Sequence, residues 1–216
     1  MIVVGARGFA KELLEVLVST KYNFTEKNLF FFDNVYKNTP DFLFGKFKVL
    51  RSFDEVKHIF QEESKDFCLG LGEPILRKNL YKVFSNLGGE VKSVISNKCE
   101  IGSFGTQIGL GTSIIGNAII TNNVTVGDGC LIYMNTSITH DVEIGDFVQV
   151  SPGVSVLGRS RIKDFTMIGA GAVVLPDIEI GKNCIIGAGA IVTKEVPDNS
   201  IVVGVKGKII KTHKGF

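Results

Sequence analysis

Residues 138–150 read Ile138-Thr139-His140-Asp141-Val142-Glu143-Ile144-Gly145-Asp146-Phe147-Val148-Gln149-Val150, with an aliphatic residue at every sixth position. Extending that register in both directions gives Ile108, Ile114, Ile120, Val126, Ile132, Ile138, Ile144, Val150, Val156, Ile162, Ile168, Val174, Ile180, Ile186 and Val192 without a break. A period of six is neither the 3.6 of a helix nor the 2 of a simple strand, so it points to a repeat architecture. Two residues before each ladder position stands mostly a small or β-branched residue, such as Val142, Val148, Ser160, Thr166 or Ala172, and Gly often follows, as in Ile144-Gly145 and Ile180-Gly181. The pattern predicts a parallel β-helix. Each hexapeptide forms one flat side and a corner, its aliphatic residue stacks inward on its equivalent one coil away, and Gly supplies backbone conformations that a Cβ would resist. Three hexapeptides make one triangular coil, so the ladder spans about five coils stacked at about 4.8 Å, a prism about 20–25 Å tall.

Upstream of the ladder the composition changes. Of the 16 Phe, 12 lie at or before Phe84, whereas 18 of the 25 Gly lie at or after Gly102. The first part alternates strand and helix: an apolar strand at Ile2-Val3-Val4, a Gly turn, a helical pattern through Leu13, Leu14, Val16 and Leu17, and a strand at Leu29–Phe32 ending in Asp33-Asn34. A polar segment follows, then a helix at Phe53–Glu62, a buried strand at Phe67–Gly72 and a helix near Ile75–Leu87. Such alternation predicts a small parallel sheet with Rossmann-like organisation, whose ligands sit beyond the carboxyl ends of the strands. The expected division is 1–90 for this α/β domain and 91–216 for the β-helix and its tail.

Bulk properties exclude several classes. With 24 Lys+Arg against 22 Asp+Glu the net charge is only +2, which lacks the basic excess of a nucleic-acid or anionic-membrane binder. Apolar residues make up 44%, but their runs are short and Gly-interrupted, far from the ~20 residues of a spanning helix. Met1 runs straight into Ile2-Val3-Val4-Gly5 with no basic-then-apolar leader, so the expectation is a soluble, cytoplasmic protein. Cys68, Cys99, Cys130 and Cys184 lie far apart with no C-x-x-C spacing, which argues against zinc and against a disulfide framework and leaves buried thiols.

The chain resembles the hexapeptide-repeat acyltransferases built on a left-handed β-helix, and within them the bacterial branch that acetylates sialic acids or UDP-linked 4-amino sugars. The resemblance is carried by Ile2-Val3-Val4-Gly5-Ala6-Arg7-Gly8-Phe9-Ala10-Lys11, Phe32-Asp33-Asn34, Arg77-Lys78-Asn79-Leu80, Asn135–Asp141 with Ile144-Gly145-Asp146-Phe147, Ser151-Pro152-Gly153, and Ile186–Lys194. It covers essentially the whole chain, and it implies the left hand of the helix, which periodicity alone does not fix. It further implies acetyl-CoA as cosubstrate with no permanently bound cofactor or metal, a nucleotide-sugar acceptor, and a homotrimer with acetyl-CoA in the groove between neighbouring prisms.

Acetyl transfer needs a base for the nucleophile's proton and donors for the oxyanion on the thioester carbonyl. Of three histidines, His58 falls on a surface helix and His213 in a charged tail, while His140 alone lies within the repeats, at a polar corner. A lone histidine is ordinarily structural; the resemblance makes His140 the base, with Asp141 orienting it. Asp141 has a second reading as a plain corner residue, because neighbours on a regular strand point to opposite sides. Gly158, one coil beyond His140, matches the position whose N–H contacts the thioester carbonyl, and could equally be a turn residue. The resemblance further implies contacts to acetyl-CoA from Gln149, Ala170, Ala188 and Lys194. Gln149 stands where amino-sugar members often carry a second histidine, and its amide can donate but cannot act as a base. Val205 replaces the proline of the family tail. In the first loop the resemblance implies a nucleotide sugar held by Gly5, Gly8 and Asp33, with Arg77 nearby, and Phe9 replaces a common histidine; the alternative is a tight structural turn with a solvated Asp33. The implied activity is N-acetylation of a nucleotide-linked 4-amino-hexose in surface-glycan synthesis. O-acetylation of a sugar or sialic acid, or a non-catalytic trimeric binding protein, are the alternatives; a zinc carbonic anhydrase needs three histidines that the repeats lack.

Overall fold

The computed structural model describes residues 1–19, 22–205 and 207–212; Lys206 and His213 lie outside them. The N-terminal part contains β1 (Ile2–Val4), α1 (Gly8–Leu17), β2 (Phe30–Phe32), β3 (Phe42–Leu43), β4 (Phe47–Leu50), α2 (Phe53–Glu62), β5 (Asp66–Leu69), α3 (Pro74–Asn86) and β6 (Glu90–Val91). They form one sheet in the order β3-β4-β2-β1-β5-β6, parallel except for the edge strand β3. Strand alternation divides the core. Ile2, Val4, Phe30 and Phe32 face α2 and α3, whereas Val3, Phe31 and Cys68 face α1. The Phe-rich composition fills the first of these sides, where the rings of Phe32, Phe53, Phe60, Phe67 and Phe84 lie with centroids 5.1–6.4 Å apart. Helix starts follow local chemistry: Ser52 and Glu55 make a reciprocal capping box for α2, and Pro74 opens α3 behind Glu73, whose carboxylate accepts the Ile75 N–H at 3.0 Å.

The polar segment expected between β2 and α2 holds the hairpin β3–β4. Its turn places Phe44 and Gly45 at φ +53° and +66°. Pattern reading misses it because the first left-handed position carries Phe rather than the usual Asn or Gly.

From Val94 onward the chain winds as a triangular prism of short parallel strands in three sheets. The first face stacks Val94–Ile95, Ser113–Ile114, Leu131–Ile132, Gln149–Val150, Met167–Ile168 and Ile185–Ile186; the second starts at Glu100–Ile101 and the third at Gln107–Ile108. Ladder residues meet at a spacing of eighteen, as Ile114 with Ile132 and Ile120 with Ile138. From Ile114 to Val192 they are essentially fully buried. Two more sides precede the sixfold register: Ile95 and Ile101 lie under Ile114 and Ile120 at a spacing of nineteen. The extra residue sits between Ile101 and Ile108, where Phe104 is thrown out to 76% exposure. At the far end Ser200–Val203 pairs with Lys208–Thr212 in an antiparallel hairpin.

The glycines after the ladder residues serve close approach and not unusual φ. A Cβ on Gly109, Gly127 or Gly145 would stand 2.3–2.5 Å from the carboxylate of Asp128, Asp146 or Asp164 in the next coil. Each of these carboxylates accepts a backbone N–H from the coil before it, at 2.7, 2.9 and 3.1 Å. The left-handed corners are held largely by other residues, among them Asn123, Asp141, Arg159 and Asp177 at φ +57° to +63°.

The N-terminal domain sits on the first face. Val94, Ile115 and Leu131 share the core that holds Val3, Phe9 and α1, and the Tyr22 hydroxyl accepts the Ile95 N–H at 2.8 Å. Among the described residues no helix is long and apolar enough to cross a membrane.

Candidate active site

His140 follows the second-face strand Ser137–Ile138 and precedes the third-face strand Glu143–Ile144, so it occupies the corner between those faces. In a triangular prism that corner is opposite the first face, where the N-terminal domain is bound. His140 and Asp141 are neighbours in sequence, yet Asp141 adopts φ +62°, which takes the pair out of strand alternation. Its Oδ2 lies 2.7 Å from His140 Nδ1. A carboxylate can only accept, so Nδ1 carries the hydrogen, and in the neutral ring the lone pair is then on Nε2. The Asn123 amide first, and then His140, hold the Asp141 carboxyl below its ordinary range, so it is ionised at neutral pH. The pair is at the surface, with the side chains 58% and 42% exposed.

The imidazole rests on Gly158. A Cβ there would stand 2.5 Å from His140 Cε1 and 2.8 Å from Nε2. The Gly158 carbonyl accepts the Asp177 N–H at 3.1 Å, while its own N–H has no acceptor among the described residues. Lys194, three coils on from His140, lies on the same edge. Ala170 and Ala188 lie elsewhere, on the edge between the first and second faces, and Gln149 is on the first face itself. Gln149 Oε1 is buried without a hydrogen-bond partner among the described residues and faces Gly72 at the domain seam. One chain therefore does not bring Gln149, Ala170 and Ala188 to His140.

Gly5, Gly8 and Asp33 line one cavity of about 330 Å³ at the carboxyl ends of β1, β2 and β5, together with Arg7, Tyr36 and Gly72. Among the described residues helix α1, which opens on this cavity, has no side-chain cap and no acidic residue in its first turn, so its N–H groups favour an anion. Arg7 stacks over the Tyr36 ring at 4.0 Å beside it. Asp33 is buried, and its carboxylate accepts the Val35 and Tyr36 N–H groups at 3.1 and 3.0 Å and the Thr39 hydroxyl at 2.5 Å. Burial would raise its pKa, but these bonds and Arg51 outweigh that and lower it. Asp33 shapes the cavity wall more than it offers a free carboxylate.

Arg77 does not belong to this site. It is 1% exposed, and its guanidinium is spent on the carbonyls of Leu71, Gly72, Gly129, Phe147 and Val148, with Nε to Gly129 at 2.7 Å and Nη2 to Phe147 at 2.9 Å. It ties the end of β5 to the prism and has no donor left for a ligand. Phe9, in the place of the family's histidine, packs against Tyr133 with ring centroids 5.2 Å apart. Among the described residues no three His, Cys, Asp or Glu side chains are grouped to hold a metal. Cys68, Cys130 and Cys184 are buried thiols, the first two pushed up to about 12 by desolvation.

Residues 1–84 match the PglD N-terminal domain, and residues 123–158 and 159–194 match the bacterial transferase hexapeptide, described as six repeats. Residues 123–194 thus carry the bacterial transferase hexapeptide and residues 1–84 a PglD-type N-terminal domain. No curated protein matches it in sequence. Among solved structures, WeeI from Acinetobacter baumannii AYE is similar at 26% identity and a TM-score of 0.87, over 97% of this chain and 100% of that one. PerB from Caulobacter crescentus, solved in complex with CoA and GDP-perosamine, is 20% identical over 97% and 96% of the two chains, with a TM-score of 0.84. The acetyltransferase domain of PglB from Neisseria gonorrhoeae FA1090 is 23% identical over 97% and 98%, also at 0.84. The chain thus has a Rossmann-like N-terminal sheet followed by a left-handed parallel β-helix.

Proposed function

We propose that this protein is an acetyl-CoA-dependent N-acetyltransferase acting on a nucleotide-linked amino sugar of the 4-amino-hexose type, in bacterial surface-glycan synthesis in the cytoplasm. The observation that carries the reading is the His140 imidazole, held by Asp141 against an unblocked Gly158 N–H at an exposed prism edge. The PerB complex contains CoA and GDP-perosamine, and a PglB domain complex contains acetyl coenzyme A. In this reading residues 1–90 bind the nucleotide sugar and residues 91–216 carry the acyl transfer.

The amine nitrogen attacks the thioester carbonyl carbon, and His140 Nε2 takes the proton that the nitrogen sheds. The oxyanion meets the Gly158 N–H, and Asp141 supports the imidazolium. When the intermediate collapses the C–S bond breaks and the imidazolium returns the proton to the departing thiolate, leaving an amide and CoA. The anion-favouring end of α1 receives the nucleotide diphosphate, with Gly5, Gly8 and Asp33 in the wall.

His140 and the α1 cavity stand on opposite sides of one prism, so the sugar held by one chain reaches the base of another. A homotrimer satisfies this. Its groove sets the His140, Gly158 and Lys194 edge of one copy against the Ala170 and Ala188 edge of the next, with Gln149 close to the latter.

The test is CoA thiol release from acetyl-CoA with GDP-perosamine, UDP- and dTDP-linked 4-amino-4,6-dideoxyhexoses and free sialic acid, with product masses and alkali lability separating amide from ester. Amide formation with an amino sugar is expected, and His140→Ala should lower turnover by about 10²–10⁴-fold with an unchanged melting temperature. An ester product would replace the reading by O-acetylation, and no turnover with any acceptor would favour a binding protein.

A further inference from the structure

The left-handed corner that carries Asp141 recurs one coil earlier at Asn123 and one and two coils later at Arg159 and Asp177, with φ values of +57°, +61° and +63°. These side chains form a column beside His140. Asn123 Nδ2 donates to Asp141 Oδ1 at 2.6 Å, while Asp141 Oδ2 accepts from His140 Nδ1 at 2.7 Å. On the other side Arg159 is turned away into a bidentate pair with Asp177, at 2.6 and 2.8 Å. The carboxylate is thus gripped from both ends, one oxygen by an amide of the preceding coil and the other by the imidazole. A carboxylate 42% exposed would otherwise rotate freely and exchange its partner for water. Asn123 is itself fixed, because its backbone N–H donates to the Phe104 carbonyl at 2.8 Å and its Oδ1 lies over Gly105, where a Cβ would come within 3.0 Å.

We propose that Asn123 is a positioning residue for acyl transfer: it locks the Asp141 carboxylate in the rotamer that holds the His140 tautomer and ring plane. The proposal rests on the acetyltransferase reading above. Asn123 touches neither the imidazole nor, on this account, the substrate, so its whole effect passes through Asp141.

Asn123→Gly removes the amide and keeps the left-handed corner, since Gly adopts positive φ without penalty. Expected is a loss in kcat of about tenfold, the worth of one charge-assisted bond, with KM for acetyl-CoA and for the amino sugar unchanged. In an Asp141→Ala background the same change should cost nothing more, a non-additivity that a merely structural role would not produce. Asn123→Asp has the same shape with a like charge against Asp141, and should lose at least as much as the Gly variant. Wild-type kcat in Asn123→Gly, or an equal loss with and without Asp141, overturns the proposal while the wild-type activity leaves the acetyltransferase reading standing. Should wild-type protein transfer nothing to GDP-perosamine or the other acceptors, that reading fails. The positioning role is then judged on the protein labelled with ¹⁵N-histidine: a downfield His140 Nδ1–H resonance lost in both Asp141→Ala and Asn123→Gly supports it, and one unchanged in Asn123→Gly sinks it.

Discussion

A Cβ built on Gly158 collides with no backbone, only with the exposed His140 ring, and Gly158 is not among the left-handed positions. Gly158→Ala is therefore tolerated by the fold and felt by the imidazole, which must swing off its seat. A displacement of about 1 Å can cost about 10² in rate, so kcat should fall by roughly that factor at unchanged melting temperature. A variant that melts like wild type and turns over at the wild-type rate would show that the ring does not need this seat. Such residues differ in how legible they were. His140 is the one histidine in the repeats, and the family resemblance makes it the base and points to Gly158, which lies eighteen residues on. Subtracting eighteen from Asp141 finds Asn123 by the same rule, with Asn favoured at positive φ as the supporting signal. Arg77 goes the other way: the resemblance sets it near the nucleotide, and only the packing of α3 on the prism shows its donors already taken.

That packing is the joint between the two halves. Along α3, Arg77 reaches three prism carbonyls, Lys78 lies 4.6 Å over the Phe165 ring, and Tyr81 meets Phe147 edge-on at 5.9 Å. Phe147 and Phe165 stack on each other one coil apart, at 5.9 Å and 10°. Burial lowers the Arg77 pKa to about 10, so the charge is carried at neutral pH by the carbonyl dipoles around it. Arg77→Met fills much of the space but leaves several buried carbonyls without donors, each worth about 1–3 kcal/mol. Some will find water, and an overall loss of about 2–4 kcal/mol in urea unfolding is expected, with Arg77→Lys in between. A Met variant as stable as wild type would mean that the apolar seam, and not the guanidinium, holds α3 in place. At this scale the sequence carried most of the elements, because burial repeats with the period of each one. It failed where a conformation was set by contacts with no period: the β3–β4 turn through Phe44, and the first coil, where one inserted residue before Ile108 breaks the sixfold count.

For the whole molecule the decisive relation is the placement of the α1 cavity over the first face and of His140 at the opposite edge. No bending of a prism braced by its stacked ladder brings them together, so on the proposed function two copies share each reaction. Two variants separate the halves. His140→Ala keeps the α1 cavity and lacks the proposed base. Gly8→Asp keeps the base but sets a carboxylate at the first turn of α1, where it fits with nothing within 4 Å of the new Cβ. That charge suits the helix end, so folding is preserved, and it repels a diphosphate from the same N–H groups. Each variant alone should be nearly inactive. Unfolded together and refolded into mixed trimers, they should regain part of the wild-type turnover, because a mixed assembly contains grooves with an intact cavity from one copy and an intact base from the next. If three mixed chains assort at random, about a quarter of grooves pair the two intact halves, so recovery to about a quarter of wild-type kcat is the quantitative expectation. No recovery in mixed trimers verified by mass would place base and acceptor in one chain, and with it undo the shared-groove account.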